Sequence, residues 1–402
     1  MRDRTRWIVA GLVLFNMLAN TLLIPTVRPF FATFYAGDES SMHAFFSVNM
    51  LGAVAGAPLL AMWADRRGGR RKMAAWLALI DGLTLLACTV RLPIEALLAI
   101  RVVQGAASVA ALSLLMGVVG GRGNRADHGG SIGLPAAALV VAIALGAPLG
   151  TLLLKAGPSA VFYVAAALAL ATAVAILLLL PADGPRAARG GARALLKHPM
   201  FLRVPALWIG IERFTVGCFV VTFSLYAHRV LGLSDGHIGM LFSWFLIPFA
   251  IATWPMATLV GRIDRGLLLA VGAIAYGGAF LLLGEVSPSL LPVVLGVAGT
   301  ASAAIYGPSL CLAASLAPPA LRATAMGLTN AAGTLGMLAG TATAGIVSAI
   351  LIGHGVPRET AYVTLFQIAG AAQLLVLVVS LPHLLNLSRR DTSSAVELEI
   401  AR

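Results

Sequence analysis

Five charged side chains lie within long apolar stretches of this 402-residue chain, where charge is costly and marks functional positions by default. Two of them are acids, Asp81 and Glu212, and three are arginines, Arg28, Arg101 and Arg213. Removal from water raises the pKa of a carboxyl group toward neutrality, which would suit reversible uptake of a proton. An arginine keeps its charge and could attract an anion. These residue types therefore predict proton transfer and electrostatic recognition.

Each of these side chains also has a plainer interpretation. Glu212 could be a carboxylate locked to a neighbouring arginine, and Asp81, about two turns from one end of its helix, is the better candidate for a structural role. Glu212 and Arg213 are adjacent, so they should point about 100° apart on a helix and should not face each other. Arg101 could be purely structural, and Arg28 could extend outward to water.

Long apolar segments must position these residues. The chain is 59% hydrophobic and only 11% charged, whereas soluble domains carry about 25% charged residues. Apolar stretches of 18 or more residues are typical of membrane-spanning helices, and we expect Pro25 and Pro29 to bend the first and Pro308 the tenth. The sequence therefore predicts an all-α integral membrane protein with twelve transmembrane helices, at about 7–35, 43–64, 73–90, 94–119, 130–155, 158–181, 204–228, 235–260, 266–284, 288–316, 323–350 and 360–385.

Positive charge is concentrated in alternate loops. With the N-terminus inside, 21 of the 28 Lys and Arg residues fall in cytoplasmic segments, and only four fall in outer loops. Cytoplasmic enrichment of Lys and Arg sets the orientation of a membrane protein. We therefore predict that both termini are cytoplasmic and that the net charge of +12 reflects topology rather than nucleic-acid binding. Small size, short loops and the lack of targeting signals indicate the bacterial inner membrane.

A short motif recurs in the two halves of the chain. Asp65 and Arg66 lie in ADRRGGRRKM, and Asp264 and Arg265 lie in GRIDRG, 199 residues later. Shifting the first six spans by this interval brings them close to the last six. Such repeats place a substrate site near the membrane midplane. We predict two pseudo-symmetric six-helix bundles around a central cavity, with the following parts: bundles at 1–181 and 204–385, a basic cytoplasmic linker at 182–203, and a cytoplasmic tail at 386–402.

The segment AMWADRRGGRRKM resembles the loop between helices 2 and 3 of the major facilitator superfamily, G-x-L-A-D-R-x-G-R-K. Four residues match: Asp65, Arg66, Gly68 and Arg70. In that family the Asp works with a helix terminus to latch one conformation, and a carboxylate is indeed stabilised at a helix N-terminus. The resemblance implies that Asp65 contacts the start of the eleventh helix, near Arg322 to Met326, and that Asp264 and Arg265 take the same part in the second half. A solvated turn is the alternative.

Two further motifs resemble the drug/proton antiporter branch of the family. LLAIRVVQGAAS resembles the helix 4 pattern R-x-x-Q-G, with Arg101, Gln104 and Gly105. ALGAPLGTLL resembles the Gly-Pro pattern of helix 5, although Ala147 stands where a Gly would precede the Pro. The matching residues there are Gly146, Pro148 and Gly150. The two glycines also form a GxxxG face, and close helix packing is the alternative explanation.

The resemblance implies a secondary active transporter whose halves expose a central site to each membrane face in turn. Proton coupling would use Glu212, Arg101 and Asp81. The substrate cavity would contain Asn16, Asn20, Arg28, Gln104, Arg213, Phe223 and Tyr306. The antiporter-like helix 5 favours export by proton antiport of a small organic molecule, such as a drug or a secreted metabolite. Because arginines outnumber acids in the spans, we predict that this cargo is neutral or anionic. A proton-coupled uptake symporter or facilitator is the alternative within the family, and a polytopic membrane sensor or enzyme is the alternative from another class.

Other chemistry has no basis in the sequence. The phosphate-binding pattern G-x-x-x-x-G-K-[ST] does not occur, and the histidines lack metal-ligand spacing. Cys88, Cys218 and Cys311 all fall inside spans, so no disulfide framework follows. We therefore expect no enzyme activity, cofactor or metal. The expected partners are a small-molecule substrate, protons and the lipid bilayer, without nucleic acid, and we expect a monomer.

Overall fold

The computed structural model describes residues 2–35, 39–120, 128–181, 202–260 and 262–389. Within these ranges the chain is helical and has no strand. The all-α fold class is therefore confirmed. The α-helices, numbered in chain order, are α1 Arg2–Thr21, α2 Val27–Phe34, α3 Glu39–Arg67, α4 Arg70–Ala87, α5 Ile94–Gly120, α6 His128–Leu153, α7 Pro158–Leu179, α8 Leu207–Arg229, α9 Asp235–Leu259, α10 Arg265–Leu282, α11 Leu291–Leu316, α12 Arg322–Gly353 and α13 Arg358–Arg389.

Eleven helical segments in the described ranges are long and apolar enough to cross a bilayer. They correspond to every predicted span except the third. That span is α4, which has 18 residues but begins with the basic sequence RRK and carries Asp81. With α4 included, the helices agree with the predicted twelve-helix membrane architecture.

The first span is broken near its end. Helix α1 ends at Thr21, a 3₁₀ turn runs from Ile24 to Thr26, and α2 begins at Val27. Pro25 lies within the turn, where its missing N–H group and its ring prevent a continuous α-helix. Pro29 lies in the first turn of α2, where a backbone N–H group would have no helical partner in any case. The predicted bend is therefore confirmed and is due to Pro25.

The chain divides into two compact units. Unit 1 comprises Met1–Leu195 and Ala317–Ala331. Its main helix pairs are α3 with α5, α1 with α6, and α4 with α7. Aromatic side chains fill one end of its core: the ring of Phe30 lies 4.9 Å from that of Phe162, and Phe31 packs edge-on against Phe45 at 5.6 Å.

Unit 2 comprises Leu196–Leu316 and Ala332–Arg402. Here α9 packs along α11, α10 packs against α11 and α13, and α8 packs against α13. The predicted linker at 182–203 lies almost wholly outside the described residues, as does the predicted tail from residue 390 onward, whereas residues 386–389 belong to α13. The division into two pseudo-symmetric bundles stays a prediction.

Glycines allow two helices of unit 1 to touch backbone to backbone. A Cβ atom at Gly105 of α5 would lie only 2.0 Å from the carbonyl oxygen of Asn49 on α3, and one at Gly52 of α3 would lie 2.0 Å from that of Val102. Such contacts cannot be relieved by a side-chain movement, because the obstructing atoms belong to the backbone. The α3–α5 distance therefore depends on these glycines.

We expect Gly105→Ala to lower the thermal unfolding temperature, because overpacking of this kind typically destabilises by about 1–3 kcal/mol. Gly11→Ala on α1 is the matched control, since a Cβ atom there meets nothing within 4 Å. The control should be neutral or slightly stabilising, as alanine favours helix over glycine by up to about 1 kcal/mol. Both variants are measured as purified protein in one detergent. Equal unfolding temperatures for the two variants would contradict the close approach.

Candidate functional site

A buried charged pair lies in unit 2. Glu212 on α8 is fully buried. Its Oε1 accepts a hydrogen bond of 2.5 Å from the hydroxyl of Ser302 on α11, and its Oε2 lies 3.0 Å from Nε of Arg213. Two opposite charges removed from water are tolerable only when they are paired in this way. These three residues, together with Tyr306 and Phe249 beside Arg213, form what we call the unit 2 cluster.

Two aromatic rings hold the guanidinium group of Arg213. Its central carbon lies 4.4 Å from the ring centroid of Tyr306 on α11 and 5.5 Å from that of Phe249 on α9, within the range of cation–π attraction. Among the described residues, Nη2 of Arg213 has no hydrogen-bond acceptor, and Oε2 of Glu212 has no aligned donor although Nε is close. The pair is therefore held by charge and by stacking more than by hydrogen bonds.

The expectation that Glu212 and Arg213 do not face each other is wrong for their charged groups. Adjacent residues do leave a helix about 100° apart, but the long arginine side chain folds back to reach the neighbouring carboxylate. Sequence reasoning also missed Ser302. A signal was present, because Ser302 and Tyr306 are four residues apart on the tenth span and so lie on one face of that helix.

A second buried network lies in unit 1 around Gln104 of α5. Its Nε2 donates to Asp81 at 2.5 Å and to Asn20 at 2.6 Å. Its Oε1 accepts from Arg101 at 2.6 Å and from Asn49 at 2.5 Å. All four hydrogen-bonding positions of the amide are thus in use. Gln104 links the carboxylate of Asp81 to the guanidinium of Arg101 in the low-polarity interior.

The other members of this network also form hydrogen bonds or stacking contacts. Asn20 donates to the second oxygen of Asp81 at 3.3 Å, and the guanidinium of Arg101 stacks on the ring of Phe45 at 4.2 Å. One turn before Asn20, Asn16 is fully buried and donates to the carbonyl oxygen of Ser108 at 3.3 Å. Sequence reasoning missed Asn49 and Phe45, because a single polar or aromatic residue in an apolar span gives no hint of its partner.

The residues of the predicted latch meet within unit 1. The buried carboxylate of Asp65 accepts hydrogen bonds from the backbone N–H of Thr324 at 2.8 Å and from its hydroxyl at 2.7 Å. Nε of Arg70 donates to the same carboxylate at 2.5 Å, and Nη2 donates to the carbonyl oxygens of Pro319 and Ala320 at 3.0 and 2.6 Å. The predicted contact of Asp65 with residues 322–326 is therefore confirmed, and a solvated turn is wrong for Asp65 and Arg70.

The other residues of the motif behave differently. Arg66 is exposed, and Gly68 adopts a φ of 70°, a left-handed conformation that ends α3 at little cost for glycine. In the second half, Asp264 is exposed and caps its own helix by accepting from the N–H of Leu267 at 2.8 Å, with Arg265 as the first residue of α10. A latching role stays a prediction for both copies.

The helix 5 motif brings α6 against the end of α1. A Cβ atom at Gly146 would lie 2.2 Å from the hydroxyl of Thr21, and one at Gly150 would lie 2.3 Å from the carbonyl oxygen of Leu22. Pro148, between them, is exposed. The close-packing interpretation of the two glycines is therefore confirmed, and any effect of the motif on transport direction stays a prediction.

Two predicted cavity residues lie away from these clusters. Arg28 is exposed on α2. Phe223 is fully buried on α8, and its ring is covered by those of Phe219, Phe242 and Phe366 at 5.1, 5.5 and 6.5 Å. Phe223 thus serves packing within unit 2, and a role for either residue in substrate binding stays a prediction.

Solved structures share the fold of this chain over nearly its whole length. The human organic anion transporter MFSD10 (TETRAN) is 19% identical, with a TM-score of 0.75 over 94% of this chain and 99% of that chain. The Escherichia coli fucose:proton symporter FucP is 13% identical, with a TM-score of 0.71 over 93% and 98%. The proton:xylose symporter XylE, bound to 6-bromo-6-deoxy-D-glucose, is 15% identical, with a TM-score of 0.71 over 95% and 96%. At these identities the likeness concerns the fold alone.

Sequence comparison gives the family. A comparison with curated protein sequences gives no match. The family model described as Major Facilitator Superfamily matches residues 9–230, which is more than half of the chain. Together with the apolar helices, this match identifies a multi-pass membrane protein of a family of small-molecule transporters. The chain belongs to the Major Facilitator Superfamily.

Proposed function

We propose that this chain is a secondary active transporter that couples the movement of a small organic molecule to protons, with Glu212 as the proton-binding residue. The observation that carries the proposal is a fully buried carboxylate in a membrane-spanning helix, beside Arg213 and Ser302. Ionisable groups in such positions are costly and mark transport pathways by default. Protonation of Glu212 would remove one charge of the pair and so change what Arg213 can bind.

The orientation of the protein, the latch and a second group in unit 1 complete the proposal. The distribution of Lys and Arg supports a bacterial inner-membrane protein with both termini in the cytoplasm. The contacts of Asp65 with Thr324 and Arg70 support a latch that stabilises one of two alternating states. Asp81 and Arg101 would form a second group that responds to protons in unit 1. We propose that the chain works as a monomer.

Export by proton antiport is supported by the Gly-Pro motif of α6. Antiport requires that the proton and the cargo exclude each other. With the pair of Glu212 and Arg213 as the coupling site, this requirement suits a neutral cargo that hydrogen-bonds to the charged carboxylate and is released when Glu212 takes up a proton. Export is therefore the candidate direction for a neutral cargo.

Uptake together with protons is a second candidate, and the direct ion pair of Glu212 with Arg213 favours it for an anionic cargo. Protonation of Glu212 would free the arginine for an anion, so that proton and cargo would bind at the same time. The fold relatives include two proton symporters and an organic anion transporter. Their low identity means that these names suggest a hypothesis and carry no residue roles.

Glu212→Gln is expected to abolish gradient-dependent transport, because glutamine resembles a permanently protonated glutamate and cannot cycle. Inside-out and right-side-out vesicles with an imposed proton gradient are given a panel of cationic, neutral and anionic organic compounds. Accumulation in inside-out vesicles with an acidic lumen indicates export, and accumulation in right-side-out vesicles with an acidic exterior indicates symport. In either case the signal should fall to that of vesicles without the protein.

The matched control is Glu285→Gln, which makes the same change at an exposed residue and should transport as the wild type does. Undiminished proton-driven accumulation by the Glu212→Gln protein would remove Glu212 from the mechanism and move attention to Asp81. Transport that does not depend on the proton gradient, in the wild type as well as in the Glu212→Gln protein, would refute proton coupling.

A further inference from the structure

We infer that the cargo is an organic anion, and that its anionic group binds Arg213 after a proton has taken the place of Arg213 on Glu212. This inference rests on the proposed function, because it takes Glu212 as the proton site. It adds the chemical class of the cargo and selects joint movement of cargo and proton over exchange. Four features of the unit 2 cluster support it. They are the charge balance of the cluster, the unpaired Nη2 of Arg213, the partial exposure of the Arg213 side chain, and the aromatic rings that contact its guanidinium.

The charge balance of the cluster admits an anion only together with a proton. Glu212 and Arg213 are neutral as a pair, and the hydroxyls and rings around them carry no net charge. An anion added alone would leave one uncompensated negative charge in a site that is almost fully buried, which costs several kcal/mol in practice. An anion added with a proton on Glu212 leaves the site neutral, with Arg213 still charged and paired to the new anion.

The guanidinium of Arg213 offers a carboxylate-sized edge. Its Nε lies 3.0 Å from Oε2 of Glu212 without forming an aligned hydrogen bond, while its Nη2 is buried with no acceptor among the described residues. Nε and Nη2 form one edge of the planar group, which suits a carboxylate that accepts two parallel hydrogen bonds. Nη2 is therefore already without an acceptor, and protonation of Glu212 would remove the negative charge that attracts Nε.

Arg213 is the more accessible member of the pair, and aromatic rings hold it in place independently of Glu212. Its side chain is 12% exposed, whereas that of Glu212 is fully buried, so the arginine is the member of the pair that lies nearer to open space. The rings of Tyr306 and Phe249, at 4.4 and 5.5 Å, would keep the guanidinium in place after its carboxylate partner is neutralised. The released cation is thus retained at the site and stays available to a ligand.

The other membrane arginines fit this role less well. Arg101 is nearly fully buried, donates to Gln104 at 2.6 Å and to the carbonyl oxygen of Phe45 at 3.4 Å, and stacks on the Phe45 ring. Arg28 is exposed on α2 and belongs to neither cluster. Arg213 is therefore the arginine that combines a buried unpaired N–H group with a titratable partner.

Thermodynamic linkage determines how proton binding and anion binding affect each other. If protonation of Glu212 raises the affinity for the anion, the anion raises the affinity for the proton by the same factor. Ligands linked in this way occupy the site together, and we therefore expect them to cross the membrane together. The titratable groups near Glu212 in the described part of the chain are Arg213 on the same helix, Tyr276 on α10 and Tyr306 on α11. Glu212 is the only carboxylate of this set, so it is the group expected to take up the proton, because tyrosine and arginine side chains are ordinarily protonated already.

The test uses purified full-length protein and calorimetric binding of acetate, octanoate and benzoate, each beside its neutral amide. Titrations in buffers of different ionisation enthalpy report the protons taken up on binding. The wild type should bind at least one carboxylate but not its amide, with proton uptake and with an affinity that falls as the pH rises. Glu212→Gln should bind the same carboxylate at every pH without proton uptake. Arg213→Gln should lose about tenfold or more of the affinity, as for a lost hydrogen bond to a charged group.

Arg229→Gln makes the same substitution at the far end of α8 and should bind as the wild type does. Arg229 is exposed there, and its Nη1 lies 3.4 Å from the hydroxyl of Tyr362. Equal binding of acid and amide, or an affinity that is the same in wild type and Arg213→Gln, would overturn the inference. If Glu212→Gln also loses coupled transport in vesicles, the proposed function still stands and only the anion site fails. If coupled transport survives in that variant, both the proposed function and the anion site are refuted.

Discussion

Replacing Gln104 with leucine is expected to destabilise the protein by about 3–5 kcal/mol, the range for buried charges that lose their compensation. Leucine has a similar size but cannot hydrogen-bond. Asp81 would keep only the 3.3 Å contact from Asn20, and Arg101 would lose its 2.6 Å acceptor. Because both charges remain in the interior of unit 1, their desolvation is no longer offset. Thermal and denaturant unfolding of the purified protein in detergent measure the loss.

Gln373→Leu is the control for this prediction. Gln373 on α13 is also fully buried, but neither its Oε1 nor its Nε2 has a partner among the described residues. The same substitution there removes an unsatisfied amide, so the variant should be neutral or stabilised by about 1–3 kcal/mol. We therefore expect Gln104→Leu to lower the free energy of unfolding and Gln373→Leu to leave it unchanged or raise it. Comparable destabilisation by both substitutions would mean that volume, and not the hydrogen bonds of Gln104, decides the outcome.

Asp65→Ala is expected to release the segment 317–331 from the rest of unit 1. The substitution removes Oδ2, which accepts from both the N–H and the hydroxyl of Thr324, and leaves the buried guanidinium of Arg70 with carbonyl oxygens alone. We expect a loss of about 3–5 kcal/mol, because one partner of a buried charged pair is removed. Amide hydrogen exchange followed by mass spectrometry should show faster exchange across 317–331 than in wild type. Transport should also decline, since the proposed latch is lost.

Asp264→Ala provides the comparison within the repeated motif. Asp264 only caps α10 through the N–H of Leu267, so the substitution should cost about 0.5–2 kcal/mol and should leave exchange in 317–331 unchanged. Similar losses for the two aspartates, with no local change in exchange after Asp65→Ala, would show that the Asp65 contacts contribute little beyond an ordinary helix cap.

Much of the fold could be predicted because it depends on local properties of the chain. A membrane-spanning segment must satisfy its backbone hydrogen bonds within itself and must be apolar over its length, and both requirements are visible in sequence. The break at Pro25 follows from the chemistry of a single residue. The contact of Asp65 with the start of α12, the eleventh predicted span, could be predicted as well, because the loop motif and the preference of carboxylates for helix N-termini indicated the same place.

The partners of the buried polar residues could not be predicted in the same way. Sequence marked Glu212, Asp81, Arg101 and Gln104 as unusual but did not give their contacts. The direct pairing of Glu212 with Arg213 depends on a side-chain conformation that the rings of Tyr306 and Phe249 support from two other helices. Phe223 was expected in a cavity and is instead enclosed by other aromatic rings.

The amino-acid sequence alone is sufficient to predict an all-α membrane protein that resembles the Major Facilitator Superfamily and has acids and arginines within its spans. The folded molecule is needed to see which of those charges meet: a direct ion pair in unit 2, and an amide-linked pair around Gln104 in unit 1. The reason is physical. Hydropathy and helix termination act within one segment of chain, whereas hydrogen bonds and ion pairs form between side chains that helix packing brings together from distant positions.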